Sequence, residues 1–275
     1  MFIEVGPASL VITAERAGKT CDIDGKKVED YIAAVLGDIR DYLPVLRQKA
    51  WKILRTAHMP EAAVKMIDAA KKVDEATLTP MAAVAGTVSE MVRDFIGDSL
   101  SDFVSVNNGG DIAVRNDTGR EVIIGIGDIR TNRTTPYILK IRGLNTFGIA
   151  TSGFGGRSLT LGLADIVTVI AENSAVADAA ATFICNSVNI ATDKVRRKKA
   201  SEIDPSTDIP DELVTVLIGG LDEGEIREAL NKGLTAAYRL KEKDVIYDVV
   251  LLLKERMVTT ITGDKYIRLE VQDGD

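Results

Sequence analysis

Cysteine is nearly missing from this chain. Cys21 and Cys185 stand far apart and outside any Cys-x-x-Cys spacing, which excludes a disulfide framework and a thiolate zinc site. Histidine is scarcer still: His58 is the only one, and with no nucleophile or orienting acid beside it in sequence it gives a Ser-His-Asp arrangement no footing. No apolar run approaches the ~20 residues of a membrane span. No glycine loop ends in Gly-Lys-Ser/Thr and no dinucleotide fingerprint follows a strand, so the two commonest nucleotide loops are not expected. Positive charge is also in deficit, 34 bases against 41 acids for a net charge of −7, which speaks against nucleic acid as the main partner, because phosphate binding draws on Lys and Arg. The opening MFIEVGPASLVITAE lacks a basic n-region and a long apolar h-region and alternates as a strand does. The expectation is a cytoplasmic protein without a membrane partner.

What is present suffices for a core: 45% of 275 residues are apolar, enough to bury a sizeable interior without staples. The spacing of Val28, Tyr31, Ile32, Val35, Leu36 and Ile39 predicts an amphipathic helix that Pro44 interrupts. Further helices are expected over 45–57, 61–72, 81–96, 175–189 and 222–240, the third of these opened by Thr79 as cap and Pro80 at its first position. Strands are expected over 2–5, 9–14, 102–106, 111–115, 121–126, 137–141, 147–150 and 165–171, and again at LVTVLIG and KYIRLEV. Helices grouped together and strands grouped at hairpin spacing predict an α+β fold with antiparallel pairing rather than a βαβ alternation. The chain reads as one domain over 1–275, or as two pseudo-equivalent α+β halves with a polar linker near 194–210. Within that linker, Arg196, Arg197, Lys198 and Lys199 read as a solvated helix end leading into a loop, the alternative being an anion site.

Three stretches carry candidate chemistry. In VNNGGDI the paired Gly109 and Gly110, beside Asp111, offer backbone amides able to cradle a phosphate, although a plain hairpin turn has the same composition. In ATSGFGGRS, Thr151, Ser152 and Gly153 place hydroxyls and bare amides directly after a strand, with Arg157 able to grip an anion; the alternative is a long hairpin loop. Asp178 and Thr182 stand i, i+4 on one helix face. The alanines around them supply no competing polar group, so a buried carboxylate there needs a partner. A hard cation held by Asp, Thr and backbone oxygens would serve, the alternative being an aspartate that faces water.

Taken in order, TPMAAVAG at 79–86, NNGGD at 107–111, ATSG at 150–153 and VTVIAENSAVADAAAT at 167–182 resemble the motifs of the ApbE superfamily. Its characterised members are FAD:protein FMN transferases, and the likeness is to a short cytoplasmic branch. The resemblance implies T-fold-type antiparallel sheets backed by helices, in units that assemble through sheet edges into a homo-oligomer. It implies a magnesium ion held by Asp178 and Thr182, with the backbone near Val84 as a third ligand. It also implies FAD, FMN or another small phosphate-bearing ligand at Gly109, Gly110, Asp111, Thr151, Ser152, Gly153 and Arg157.

The transferases carry a His-x-x-Asp-Pro-x-Thr-Gly segment before their VTV strand. Here that interval is FGGRSLTLGLADI, and Ala85 stands where the family has a lysine before the glycine. These departures imply a binding protein that does not transfer FMN. Two other readings follow from the same resemblance: a metal-dependent enzyme acting on a flavin or nucleotide, and an accessory protein of sulfur assimilation, toward homocysteine synthesis, with a vestigial site.

Overall fold

The computed structural model describes residues 1–97, 101–128, 133–263 and 266–272. In chain order the elements are β1 (Phe2–Val5), β2 (Ala8–Arg16), β3 (Lys19–Thr20), α1 (Gly25–Asp41), α2 (Leu43–Leu46), α3 (Glu61–Asp74), α4 (Val84–Gly97), β4 (Phe103–Asn108), β5 (Asp111–Asn116), β6 (Val122–Asp128), β7 (Arg133–Ile141), β8 (Thr146–Ser152), β9 (Ile166–Ala171), α5 (Ser174–Ser187), β10 (Val195–Lys199), α6 (Ala200–Ile203), β11 (Leu213–Ile218), α7 (Glu223–Lys241), β12 (Asp248–Leu253), β13 (Arg256–Thr259) and β14 (Ile267–Val271). Each strand pair with a described register is antiparallel, as the grouping of strands in the sequence predicts.

The chain divides into two compact units. The first holds Met1–Glu121, Arg142–Ala150 and Ile170–Ala179. Its strands run in the order β1-β2-β4-β5-β8, with β3 on β2. Alternation decides the faces: in β2, Ala8, Leu10, Ile12 and Ala14 are buried while Val11 is exposed. α4 packs on β4 and β5, and α1 and α3 pack on α4. The second unit holds Val122–Ile141, Thr151–Val169 and Ala180–Asp275. It contains the sheet β14-β7-β6, the pair β10-β11 and the run β9-β12-β13, with α7 packed on β12.

Two expectations need correcting. The helix expected over 45–57 shrinks to α2 and one 3₁₀ turn at Ala50–Lys52. The Ala50 and Trp51 amides donate to the carbonyls of Leu78 and Glu75 near the end of α3, so tertiary bonds replace the helical ladder. The polar linker is ordered structure: Lys198 and Lys199 lie in β10, paired with Val214 and Leu213 of β11, and α6 follows. Arg196 and Arg197 are therefore strand residues rather than a helix end.

α5 is seated by glycines. A Cβ on Gly148 would come within 2.2 Å of the Ser174 amide, at the start of the helix. One on Gly162 would come within 1.7 Å of the Cys185 carbonyl, near its end.

Candidate functional site

α5 explains why a carboxylate tolerates an alanine run. Ala177, Ala179, Ala180 and Ala181 are all at most 1% exposed, and their small side chains let the helix lie close to its neighbours. Asp178 is half-buried, and its Oδ2 accepts from the Gly86 amide, in the first turn of α4, at 2.9 Å. Desolvation pushes its carboxyl from an ordinary 3.8 up to about 7, against the backbone hydrogen bonds of Gly86 and Ala85 that favour the charged form. Gly86 is the residue that permits the contact: a Cβ there would stand 2.2 Å from the Ser174 carbonyl oxygen and 2.8 Å from the Asp178 Cβ.

The capping is mutual. Glu90, one turn along α4, is 6% exposed and accepts from the Ala175 amide in the first turn of α5 at 3.4 Å. It also accepts from Lys65 Nζ at 2.7 Å. Each helix thus offers a carboxylate to the positive end of the other. At the same helix starts Thr87 Oγ1 and Ser174 Oγ are buried with no hydrogen-bond partner among the described residues. Sequence reading missed Glu90, although an acid inside the apolar run Val88 to Val92 was a signal for it.

The NNGGD turn meets α4 in the same unit. Ser89 Oγ donates to the Asp111 carbonyl at 2.7 Å and Asn108 Nδ2 to the Ala85 carbonyl at 3.4 Å. Gly109 and Gly110 take φ of 66° and 110°, the left-handed turn geometry that glycine allows. The cradle of two bare amides needs correcting, because the Gly110 amide donates to Asn107 Oδ1 at 2.8 Å. Val84 opens α4 and is half-buried.

In the second unit the Thr151 and Ser152 hydroxyls of ATSGFGGRS turn inward. Thr151 Oγ1 and Thr168 Oγ1 share a hydrogen bond at 3.0 Å. Ser152 and Thr160 both hydrogen-bond the Cys185 thiol, whose pKa burial raises above its ordinary value. The Gly156 amide donates to the Gly153 carbonyl at 3.2 Å, and the Phe154 amide to the Ala164 carbonyl at 2.7 Å, so the loop is a built turn with Arg157 exposed on it. Thr182 is half-buried, one turn beyond Asp178 on α5. Among the described residues no three His, Cys, Asp or Glu side chains gather into a metal cage. Two surface hollows lie elsewhere, one lined by Ile226, Leu230 and Met257, the other by Thr259, Ile261 and Arg268. His58 is exposed, its carbonyl accepting from the Tyr42 hydroxyl.

Residues 1–260 match the family model described as AbpE bacteria. The chain belongs to this family. Its relatives include a "UPF0280 protein" of Methanobrevibacter smithii, 32% identical over 175 residues that make up 61% of this chain and 71% of the relative. Another, from Methanosphaera stadtmanae, is 40% identical over 108 residues, 39% of this chain and 43% of the relative. A third, from Methanosarcina barkeri, is 34% identical over 137 residues, 50% and 52% of the two chains. The chain spans about half the length of the first curated relatives it matches. Among solved structures it is similar to the apo flavinyl transferase ApbE of Pseudomonas stutzeri, at a TM-score of 0.48 and 14% identity over 94% of this chain and 92% of that one. It is also similar to the flavin transferase ApbE of Vibrio cholerae, at 0.47 and 12% over 99% and 96%.

Proposed function

We propose that this ApbE-like chain binds a small phosphate-bearing ligand, a flavin by preference, together with a divalent cation at Asp178, and does not transfer FMN. The observation that carries the reading is a carboxylate that desolvation disfavours as an anion, set at two helix starts where two buried hydroxyls have no hydrogen-bond partner among the described residues. Helix starts favour anions, and a cation on the carboxylate would remove the cost of its buried charge.

The donors proposed for a hard ion are the Asp178 carboxylate and the Val84 carbonyl, with the Thr182 hydroxyl one turn along α5 as a third and waters completing the shell; oxygen donors of this kind suit magnesium. Magnesium there would supply positive charge to a phosphoryl oxygen. Taken unit by unit, the ligand contacts proposed are Gly109, the Gly110 carbonyl side of the turn and Asp111 in the first unit, and separately Thr151, Ser152, Gly153 and Arg157 in the second. Because the Thr151 and Ser152 hydroxyls are engaged inward, the backbone and Arg157 carry the larger share. Titrating FAD and FMN into the protein with and without magnesium, by calorimetry, tests this. Binding that needs magnesium and weakens in Asp178→Asn is the expected result, and flavin affinity unchanged by both would overturn it.

The same inward hydrogen bonds favour a second reading, an accessory protein, as in sulfur assimilation, whose site is vestigial. A flavin spectrum on the purified protein separates the two: its presence supports the first.

A further inference from the structure

Between Arg47 and Met59 the first unit displays side chains that its own packing does not use. Trp51, the chain's single tryptophan, is 57% exposed, and Leu54 is 83% exposed, the highest value among the large apolar side chains on the described surface. A loose backbone is not the cause. The Trp51 amide donates to the Glu75 carbonyl at 3.1 Å and the Ala50 amide to the Leu78 carbonyl at 2.9 Å. Lys71 Nζ donates to the Ile53 carbonyl at 2.7 Å, and Ile53, between the two displayed residues, is buried. The segment is pinned down while Trp51 and Leu54 point away.

The charged residues within 47–59 are all basic, Arg47, Lys49, Lys52 and Arg55, with no acid in the segment itself. Lys52 Nζ lies 5.3 Å from the Trp51 ring centroid, and Arg47 and Lys52 are exposed. Arg55 pairs with Asp68 at 2.9 Å, and Asp74 and Glu75 at the end of α3 are the neighbouring acids. Scattered apolar residues on a surface need no explanation. A held, outward tryptophan and leucine interleaved with cations, in a chain of net charge −7, does call for one.

We propose that this segment docks the protein on anionic lipid. The indole would seat at headgroup level, Leu54 would enter the acyl boundary, and Arg47 and Lys52 would meet the anionic headgroups. A planar, soft surface fits two projecting tips better than a protein groove does. Such contact is distinct from spanning: no helix among the described residues is long and apolar enough to cross a membrane. With two apolar side chains the attachment is weak and reversible.

Because Trp51 is the only indole, its fluorescence reports the contact directly. The wild-type protein is titrated at low ionic strength with vesicles of phosphatidylcholine alone and with vesicles holding about a third phosphatidylglycerol, a mixture chosen to give a strongly negative surface. A blue shift and co-sedimentation with the anionic vesicles only are expected. Leu54→Ala should weaken partitioning, and Lys52→Glu should weaken it about fivefold or more, with unchanged circular dichroism in both. Absence of any shift, equal binding to neutral vesicles, or full binding by Leu54→Ala would overturn the proposal. So would an equal shift with soluble polyglutamate, which would assign the loop to an acidic protein instead.

Discussion

At the scale of single residues, Asp178 yields the sharpest prediction. Its folded carboxyl titrates near 7 rather than near 3.8, so the folded chain keeps a proton that the unfolded chain has released between those values. The stability this group contributes therefore falls as pH rises through that window and stays low above it. Asparagine can still accept from the Gly86 amide without carrying charge. Asp178→Asn should accordingly leave the melting temperature near pH 4 almost unchanged and raise it at pH 8 by several degrees, for a gain on the order of a few kcal/mol. The same substitution should abolish any rise that magnesium gives the wild type at pH 8, a comparison that scanning fluorimetry reads directly. Gly86 makes a second test. Alanine normally stabilises a helix over glycine by about 1 kcal/mol, but here its methyl would meet a backbone carbonyl. Gly86→Ala should instead destabilise by roughly 1–3 kcal/mol in urea. The sequence showed the spacing of Asp178 and Thr182 and the small residues before Gly86, because both are local. It could not show that the Thr151 and Ser152 hydroxyls turn inward, since Thr168 and Cys185 are brought to them by folding.

Among the elements, α4 and α5 act as a pair. Glu90→Ala would remove the acceptor for the Ala175 amide and strand the half-buried Lys65 ammonium. Burial works to lower the pKa of that ammonium, and the hydrogen bond and charge of Glu90, together with the charges of Asp94 and Glu61, raise it. A loss of about 2–4 kcal/mol is expected, with faster hydrogen exchange at Ala175. If the mutual capping holds the helix starts together, the Gly86 amide, bonded to the intact Asp178, should exchange faster too. Exchange accelerated at Ala175 alone would mean that the two caps act separately. Elements whose pattern is local were legible: the alternation of β2, the 3.6-residue spacing of α1 and the hairpin spacing of β4 and β5 all appear where the sequence puts them. The helix expected over 45–57 was not, because its amides bond to the end of α3, which no periodicity records. β10 was misread for a related reason, since charged residues form a strand there only by pairing with β11.

For the molecule as a whole, the expectation concerns what it does not do to other proteins. Incubated with FAD, magnesium and a flavin-acceptor peptide, it should leave the peptide without covalent FMN, as mass spectrometry would detect. The interval FGGRSLTLGLADI, which the sequence resemblance sets against the transferases' histidine segment, begins in a built turn. Asp165 at its end is 4% exposed and accepts from the Lys254 amide at 2.5 Å, and the chain's one histidine lies exposed at residue 58. The α+β class and antiparallel pairing were readable from the grouping of elements, whereas the membership of each compact unit, gathered from non-consecutive stretches of chain, is not recorded by any local pattern. The seating of α5 bears on how this chain tolerates variation. Gly86, Gly148 and Gly162 are widely spaced in sequence, yet each faces the backbone of that one helix at a distance that leaves no room for a methyl group. A saturation scan of the whole gene should return three isolated columns in which every replacement, alanine included, is depleted, and those columns would locate the helix without any coordinates.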